Sequence, residues 1–293
     1  MQLSVLVISY NTKKITLQAL RSIVTSLKNS DLTYEILVLD NHSQDGSVQA
    51  IKKLKIKTLR LFESLENLGF GKGNNYLAKK AHGQHLLLLN SDIEVIDKAI
   101  DKLFSFYIKQ RRFAFVGGKL LNTDLSPQAS CGPLYSPLVV LAALFCRGDY
   151  WGLTRYSPSA VRPVGWVSGA CILTAKADYE KVNGFDENIF MYMEEIDLFK
   201  RAQKIGLKVG YFPNAKFIHH GFASSKGKSR PVINVFKGIV YYYRQHYGWF
   251  SRLFIWLLLK TKALLGYTLG VVTNNHYLKQ TYYEAYKITG REI

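Results

Sequence analysis

"HLLLLNSD", residues 85–92, runs four consecutive leucines straight into Asn90, Ser91 and Asp92. A short apolar run bounded by polar residues reads as a strand buried on both faces, the kind found in parallel sheets covered by helices. Three earlier stretches repeat the pattern: "LSVLVISY" (3–10), "YEILVLD" (34–40) and "IKTLRLFE" (56–63). Between them, Ile15, Leu20, Ile23, Val24 and Leu27 recur at helical spacing, and "DGSVQAIKKL" (45–54) opens a helix behind an Asp/Ser cap. The alternation predicts an α/β fold with a Rossmann-like, mostly parallel central sheet flanked by helices. In such sheets ligands bind outside the carboxyl ends of the strands. Ser9, Tyr10 and Asn11 fall there after the first strand, Asp40 and Asn41 after the second, and Asn90, Ser91 and Asp92 after the fourth. Each alone could simply cap the next helix. Three strands ending this way point to a nucleotide site.

Composition narrows the partners. The chain has 293 residues, of which 48% are hydrophobic and 13% aromatic, so it has ample core and no disordered character. Its 39 Lys and Arg against 21 Asp and Glu give a net charge of +18, which favours an anionic partner such as a membrane surface or a phosphorylated substrate. No nucleic-acid motif accompanies the charge, so a nucleic-acid partner is not expected. Cys131, Cys146 and Cys171 show no metal-site spacing and are expected to be reduced and buried, which suits the cytoplasm. The N-terminus lacks the basic region of a signal peptide and reads as a first strand. "LVVLAALFC" (138–146) is too short for the roughly 20 residues a bilayer requires. From Val232 aromatics, bases and leucines mingle, so a boundary is expected near Ser229, between a domain at 1–229 and a helical extension at 230–293.

Two further stretches carry chemistry. "ENLGFGKGNN" (66–75) spaces its glycines as G-x-G-x-G after the third strand, which fits neither a dinucleotide fingerprint nor a P-loop. Its glycines could let backbone approach a ligand, with Asn67, Asn74 or Asn75 donating hydrogen bonds, or could form a plain turn. "FMYMEEIDLFKR" (190–201) places Glu194, Glu195 and Asp197 at the start of a helix, where the dipole stabilises carboxylates. Glu194, Leu198 and Arg201 would share one face and Glu195 and Phe199 an adjacent one. One carboxylate could act as general base while another orients it or pairs with Arg201. Asp92 could ligate Mg2+ or Mn2+ beside a diphosphate, or cap a helix beginning near Ile93.

Taken together, "VLVISYNT", "ILVLDNHSQDGS", "ENLGFGKGNN", "LLLLNSD", "WVSGACILTAKADYEKVNGFDENIFMYMEEIDLFKRA" and "KFIHHGFASS" resemble, in order and approximate spacing over residues 3–225, the family 2 glycosyltransferases of GT-A fold, particularly the rhamnosyltransferase-like branch. The resemblance implies inverting transfer of a sugar from a nucleotide diphosphate to an acceptor hydroxyl, with dTDP-rhamnose the favoured donor. It implies that Ser9, Asn11 and Asp40 hold the nucleotide and that Asn67 and Asn74 line the donor site. Asn90-Ser91-Asp92 replaces the family's Asp-x-Asp element with its first carboxylate missing, leaving Asp92 as metal ligand and His219 as a second. Glu194-Glu195 stands where the family has Glu-Asp, which makes Glu195 the base, with Glu194 or Asp197 as substitutes. Trp166, Ser168 and Gly169 would shape the sugar pocket, and "GFDE" (184–187) would contact the acceptor. A catalytically degenerate, membrane-associated binding protein of the same fold is the alternative.

The extension completes the expectation. Leu253 to Leu259 are uninterrupted apolar residues, but Lys260 and Lys262 follow, and a lysine at the bilayer centre costs about 2.5–3.5 kcal/mol. A helix lying in the interface is therefore expected, burying Leu253, Trp256, Leu257 and Leu264, with Tyr241, Tyr242, Tyr243 and Trp249 at headgroup level. An anionic membrane surface and a lipid-linked glycan acceptor follow from it, at the inner face of the cell membrane. Packing on the sheet domain is the plainer use of this segment.

Overall fold

The leucines of residues 85–92 lie at the centre of a sheet in the computed structural model, which describes residues 1–221 and 229–289. The first half alternates: β1 (Leu3–Ser9), α1 (Lys13–Leu27), β2 (Tyr34–Asp40), α2 (Ser47–Lys53), β3 (Leu59–Glu63), α3 (Gly69–Lys80) and β4 (His85–Asn90). These strands pair in parallel in the order β3-β2-β1-β4. Ser9 lies opposite Asp40, and Ile8 opposite Asn90, so the register brings the three polar strand ends to one edge.

The second half is mixed, which is why the alternation fades from the sequence. It comprises β5 (Ile93–Val95), α4 (Ala99–Lys109), β6 (Phe115–Leu121), β7 (Pro127–Gln128), β8 (Cys131–Gly132), α5 (Pro137–Phe145), β9 (Arg162–Val164), β10 (Trp166–Val167), β11 (Cys171–Ala175), α6 (Lys176–Lys181), α7 (Glu194–Lys204) and β12 (Val209–His219). β11 runs antiparallel to both β4 and β6, and β12 pairs in parallel with β6 and antiparallel with β5. Asp92 therefore does not cap a helix: Ile93 begins a strand, and the next helix starts at Ala99. Most of the glycine-rich stretch lies in the helix α3, and its glycines answer a steric need: a Cβ at Gly71 would stand 2.9 Å from Phe185 Cβ and one at Gly73 would stand 3.2 Å from Ile8 Cδ1. Those glycines bring α3 close to protein rather than to a ligand.

Side chains leave the strands alternately for two cores. Val5, Val7, Leu87 and Leu89 meet Leu20 and Ile23 of α1 and Leu103 of α4. Leu6, Leu37, Leu86 and Leu88 meet Leu77 of α3 and Leu198 and Phe199 of α7. Cys131 and Cys171 are buried as expected, but Cys146, at the end of α5, is exposed.

The chain closes with α8 (Ser229–His246), α9 (Trp249–Val272) and α10 (His276–Ile288). Phe236, Ile239, Tyr242 and Tyr243 of α8 belong to the same core as Leu6 and Phe199. The composition change near Ser229 therefore marks no break in packing. Tyr242 and Tyr243 are buried, against the expectation of an interfacial place, because α8 packs them on α7 and the 135 region; the Tyr243 hydroxyl donates to Tyr135 O at 2.8 Å. Leu253 and Trp256 are half-buried toward the protein, and the Trp256 indole donates to Thr289 O at 2.7 Å. Leu257, Leu264 and Trp249 are exposed, as are Phe250, Leu265 and Leu269.

A core shared between sheet and α8 predicts that Phe236→Ala lowers global stability by about 3–5 kcal/mol in one cooperative denaturant transition. A separate, early transition that leaves the sheet untouched would show that α8 is an independent appendage.

Candidate active site at the carboxyl ends of the strands

Asp40 ends β2 with 2% of its surface exposed. Its Oδ1 accepts the Ser43 N–H at 2.8 Å, while Oδ2 is buried with no partner among the described residues. A buried carboxylate oxygen left unpaired is costly, and at a strand end it is open to a partner from outside the chain. Asn11 beside it has a left-handed backbone, φ 50°, and binds Ser43 Oγ through its N–H and the Gln44 N–H through Oδ1. Ser9 differs from the expectation: it is fully buried and its hydroxyl lies 3.1 Å from that of Thr16, so it joins β1 to α1. Asn74 is also turned inward, donating to Phe70 O at 3.0 Å. Asn67 Oδ1 accepts from Asn41 Nδ2 at 2.8 Å and from the Gly69 N–H at 2.9 Å, which fixes the loop before α3. Asn75 ties α3 to the 185–187 segment through Phe185 N and O and Glu187 Oε1, and to α6 through the Tyr179 hydroxyl.

At the end of β4, Asp92 and His219 come together because β5 and β12 pair with His219 opposite Ile93. Asp92 Oδ1 lies 3.3 Å from His219 Nε2, and Asn90 Nδ2 lies 3.4 Å from the same nitrogen. His219 Nδ1 lies 2.7 Å from Gln128 Oε1, while Gln128 Nε2 donates to Asn122 Oδ1 at 3.0 Å. That amide orientation makes Oε1 an acceptor, so Nδ1 carries a proton and Nε2 faces the carboxylate. An imidazole nitrogen oriented by an amide behind it, beside a carboxylate, is a pair that could accept a divalent cation. No third His, Cys, Asp or Glu joins them among the described residues. Two protein ligands fit Mg2+ or Mn2+ shared with a substrate diphosphate and water. Ser91 lies near this edge with Oγ 3.4 Å from Thr12 Oγ1. The resemblance motif around His219 ends at Phe222–Ser225, outside the described residues.

Glu194, Glu195 and Asp197 open α7 behind two successive left-handed residues, Tyr192 (φ 68°) and Met193 (φ 73°). Such conformations cost about 1–3 kcal/mol each away from glycine and persist only where packing enforces them. The three acids are then driven apart in character. Glu194 is buried with Oε2 unpartnered, and burial together with the Glu195 charge pushes its pKa well above the ordinary range. Burial also raises Glu195, but its own backbone N–H, Arg155 and the Gly169 amide pull it back. Asp197 is lowered despite its burial, because His246 and Arg201 hold both oxygens: His246 Nε2 at 2.6 Å from Oδ1 and Arg201 Nε at 2.7 Å from Oδ2. Arg201 thus pairs with Asp197 and not with Glu194.

The antiparallel course of β11 links the two halves of the site. Asn90 N–H donates to Ala170 O at 3.1 Å, so the residues entering β11 lie against the exit of β4. The adjacent Gly169 amide faces Glu195. Ser168 N–H donates to Ser130 O at 2.8 Å. Trp166 is buried, its indole nitrogen unpartnered among the described residues, and Arg155 stacks 5.6 Å over its ring. Arg155, Gln128 and His246 carry no sequence motif.

The chain matches the model of glycosyl transferase family 2 over residues 4–124. It is 29% identical over 251 residues to the N-acetylglucosaminyl-diphospho-decaprenol L-rhamnosyltransferase of Mycobacterium tuberculosis, covering 78% of this chain and 81% of that protein. It is 27% identical over 219 residues to the rhamnosyltransferase WbbL of Escherichia coli, covering 69% and 78%. Among solved structures, GalNAc-T7 with UDP, GalNAc and Mn2+ superposes with a TM-score of 0.65 at 14% identity, covering all of this chain, which spans 56% of that one. The mannosyltransferase PcManGT from Pyrobaculum calidifontis, in complex with GDP-Man and Mn2+, gives 0.58 at 14% identity, covering 98% and 85%. These structural likenesses establish the GT-A fold and no more.

The raised Glu194 makes a signed prediction. A carboxyl whose folded pKa lies above its unfolded value adds no cost below the unfolded pKa, and its cost grows as pH rises toward the folded one. Glu194→Gln should therefore match the wild type in stability near pH 4 and exceed it increasingly toward neutral pH. Equal stability across that range in denaturant melts would mean that Glu194 is not buried as described.

Proposed function

We infer that this chain, a member of glycosyl transferase family 2 that resembles rhamnosyltransferases, moves a sugar, rhamnose favoured, from a nucleotide diphosphate to a hydroxyl of a lipid-linked glycan in cell-surface polysaccharide synthesis. The observation that carries this reading is the joining, through Ala170 and Asn90, of the Asp92–His219 pair to the helix start that bears Glu195.

Asp40, with its free buried oxygen, and Asn11 receive the nucleoside at the ends of β1 and β2. Asp92 and His219 would hold Mg2+ or Mn2+, which would supply charge neutralisation for the diphosphate. Ser168 and Gly169, at the entry to β11, flank the sugar. Glu195 accepts the proton of the acceptor hydroxyl, and burial, which raises its pKa above the ordinary carboxylate range, makes it a stronger base than an exposed carboxylate. The acceptor oxygen forms its bond to the anomeric carbon as the bond to the diphosphate oxygen breaks, and the electron pair leaves with the diphosphate. One displacement inverts the anomeric centre. Asp197 is bound on both oxygens and takes no part in this transfer.

The apolar face of α9 supports attachment to an anionic membrane at its inner surface. The helix is 24 residues long, and only 22% of its most apolar stretch is buried. Lys260 and Lys262 turn inward, donating to Tyr286 O at 2.9 Å and Leu144 O at 2.8 Å, so the face bearing Phe250, Phe254, Leu257, Leu264 and Leu269 carries no charge and its only polar side chains are the hydroxyls of Thr261 and Thr268. Such a face can lie in the headgroup region of a bilayer.

With a panel of dTDP-, UDP- and GDP-sugars, transfer is expected to require a divalent cation. Asp92→Asn should abolish it with the fold intact, and Glu195→Gln should lower turnover by ~10²–10⁴-fold with donor binding kept. Near wild-type turnover in either variant would remove that residue from its role, whereas no transfer by the wild type with any of these donors would favour a binding protein of this fold. For the membrane, Phe254→Glu with Leu257→Glu should abolish sedimentation with phosphatidylglycerol vesicles and leave nucleotide binding unchanged; sedimentation equal to wild type would remove α9 from the interface.

A further inference from the structure

Glu195 is delivered by a turn that resists its own shape, since Tyr192 and Met193 both adopt positive φ immediately before it. What holds that turn comes from the far end of the chain. Gly238 of α8 abuts it so closely that a Cβ there would stand 2.8 Å from Met193 Cγ and 2.9 Å from Tyr192 O. One turn further along α8, the Tyr241 hydroxyl donates to Asp186 Oδ2 at 2.7 Å, fixing the segment that leads into the turn.

At the end of α8 a second attachment reaches α7 itself. Lys204 Nζ lies 2.9 Å from His246 Nδ1. An ammonium can only donate, so Nδ1 accepts and Nε2–H is left to donate to Asp197 Oδ1 at 2.6 Å. Both side chains are buried, 4% and 1% exposed. Asp197 N–H in turn donates to Met193 O at 2.9 Å, and Arg201, bound to the other Asp197 oxygen, also donates to Val182 O. The imidazole therefore connects α8, through Asp197, to the backbone of the turn that presents Glu194 and Glu195.

We propose that α8 belongs to the catalytic apparatus, with Gly238 and His246 as positioning residues that hold the strained Tyr192–Met193 turn and so aim Glu195 at the acceptor hydroxyl. The proposal rests on the reading of Glu195 as the base. It gives a buried His–Asp pair outside the donor site a task, and it explains why the sheet and the C-terminal helices share one core. A helix added only for attachment would have no need to touch the turn.

The test uses the full chain and expresses turnover per nucleotide-binding site, counted by calorimetry with dTDP and Mn2+. Loss of folded protein lowers the number of sites but leaves the rate at each one unchanged, so the ratio isolates positioning. His246→Ala and Gly238→Ala are each expected to lower the transfer rate per site about 10- to 100-fold, the scale of a misplacement near 1 Å, with dTDP affinity unchanged. His246→Gln, whose amide nitrogen can take the place of Nε2, should restore most of the rate. A per-site rate equal to wild type in both variants overturns the proposal, as does a loss of dTDP affinity that accounts for the whole effect. Glu195→Gln measured alongside keeps the two readings apart. Wild-type turnover in that variant removes the base assignment alone, whereas α8 is judged by its own per-site rates.

Discussion

The antiparallel insertion of β11 beside β4 is the constraint on which the rest of the structure depends. Four parallel strands by themselves would place Asp40, Asn90 and Asp92 at one edge with nothing facing them. Because β11 runs the other way, the chain enters the sheet at that same edge, with Ala170 O against Asn90 N–H and the Gly169 amide toward Glu195. The Asp92–His219 pair and the start of the carboxylate helix are thereby linked at one edge of the sheet. The antiparallel pairing of β12 with β5 then carries His219 to Asp92.

Buried carboxylates elsewhere in the molecule show how unusual that edge is. Glu35, at the opposite end of the sheet, is held in its charged form despite burial by the His82 N–H, Ser4 Oγ and Arg60. Asp197 is similarly satisfied by His246 and Arg201. Asp40 and Glu194 instead each keep one buried oxygen without a partner among the described residues. In a chain with a net charge of +18, cations were available to pair with them. Leaving these oxygens open is intelligible where a substrate hydroxyl, a sugar or a shared proton is to be met.

The parallel half of the fold was legible because buried strands read as continuous apolar runs, and Leu86 to Leu89 could be little else. Residues 93–95 misled, since three residues after an aspartate look like a cap until the long partner strand β12 is known. Tyr242 and Tyr243 misled for a related reason: aromatics among bases suit a lipid interface equally well until α8 is seen packed on α7. The acidic cluster was visible as a cluster, but its division of labour was not. That division depends on Arg155, Gly169 and His246, which reach Glu195 and Asp197 only through tertiary contact. Gln128 orients His219 across 91 positions of chain, a separation that no local spacing signals.

The central claim is that Asp92 and His219 form half of a cation site completed by a nucleoside diphosphate at the strand ends. Nitrogen-15 spectra of the histidine side chains, recorded with sub-stoichiometric Mn2+ in the presence and absence of dTDP, UDP or GDP, test it most directly. The account predicts that the His219 imidazole signal broadens away only when one of these nucleotides is present, while His82 and His246 persist. Broadening that is independent of every nucleotide, or that spares His219, would contradict it.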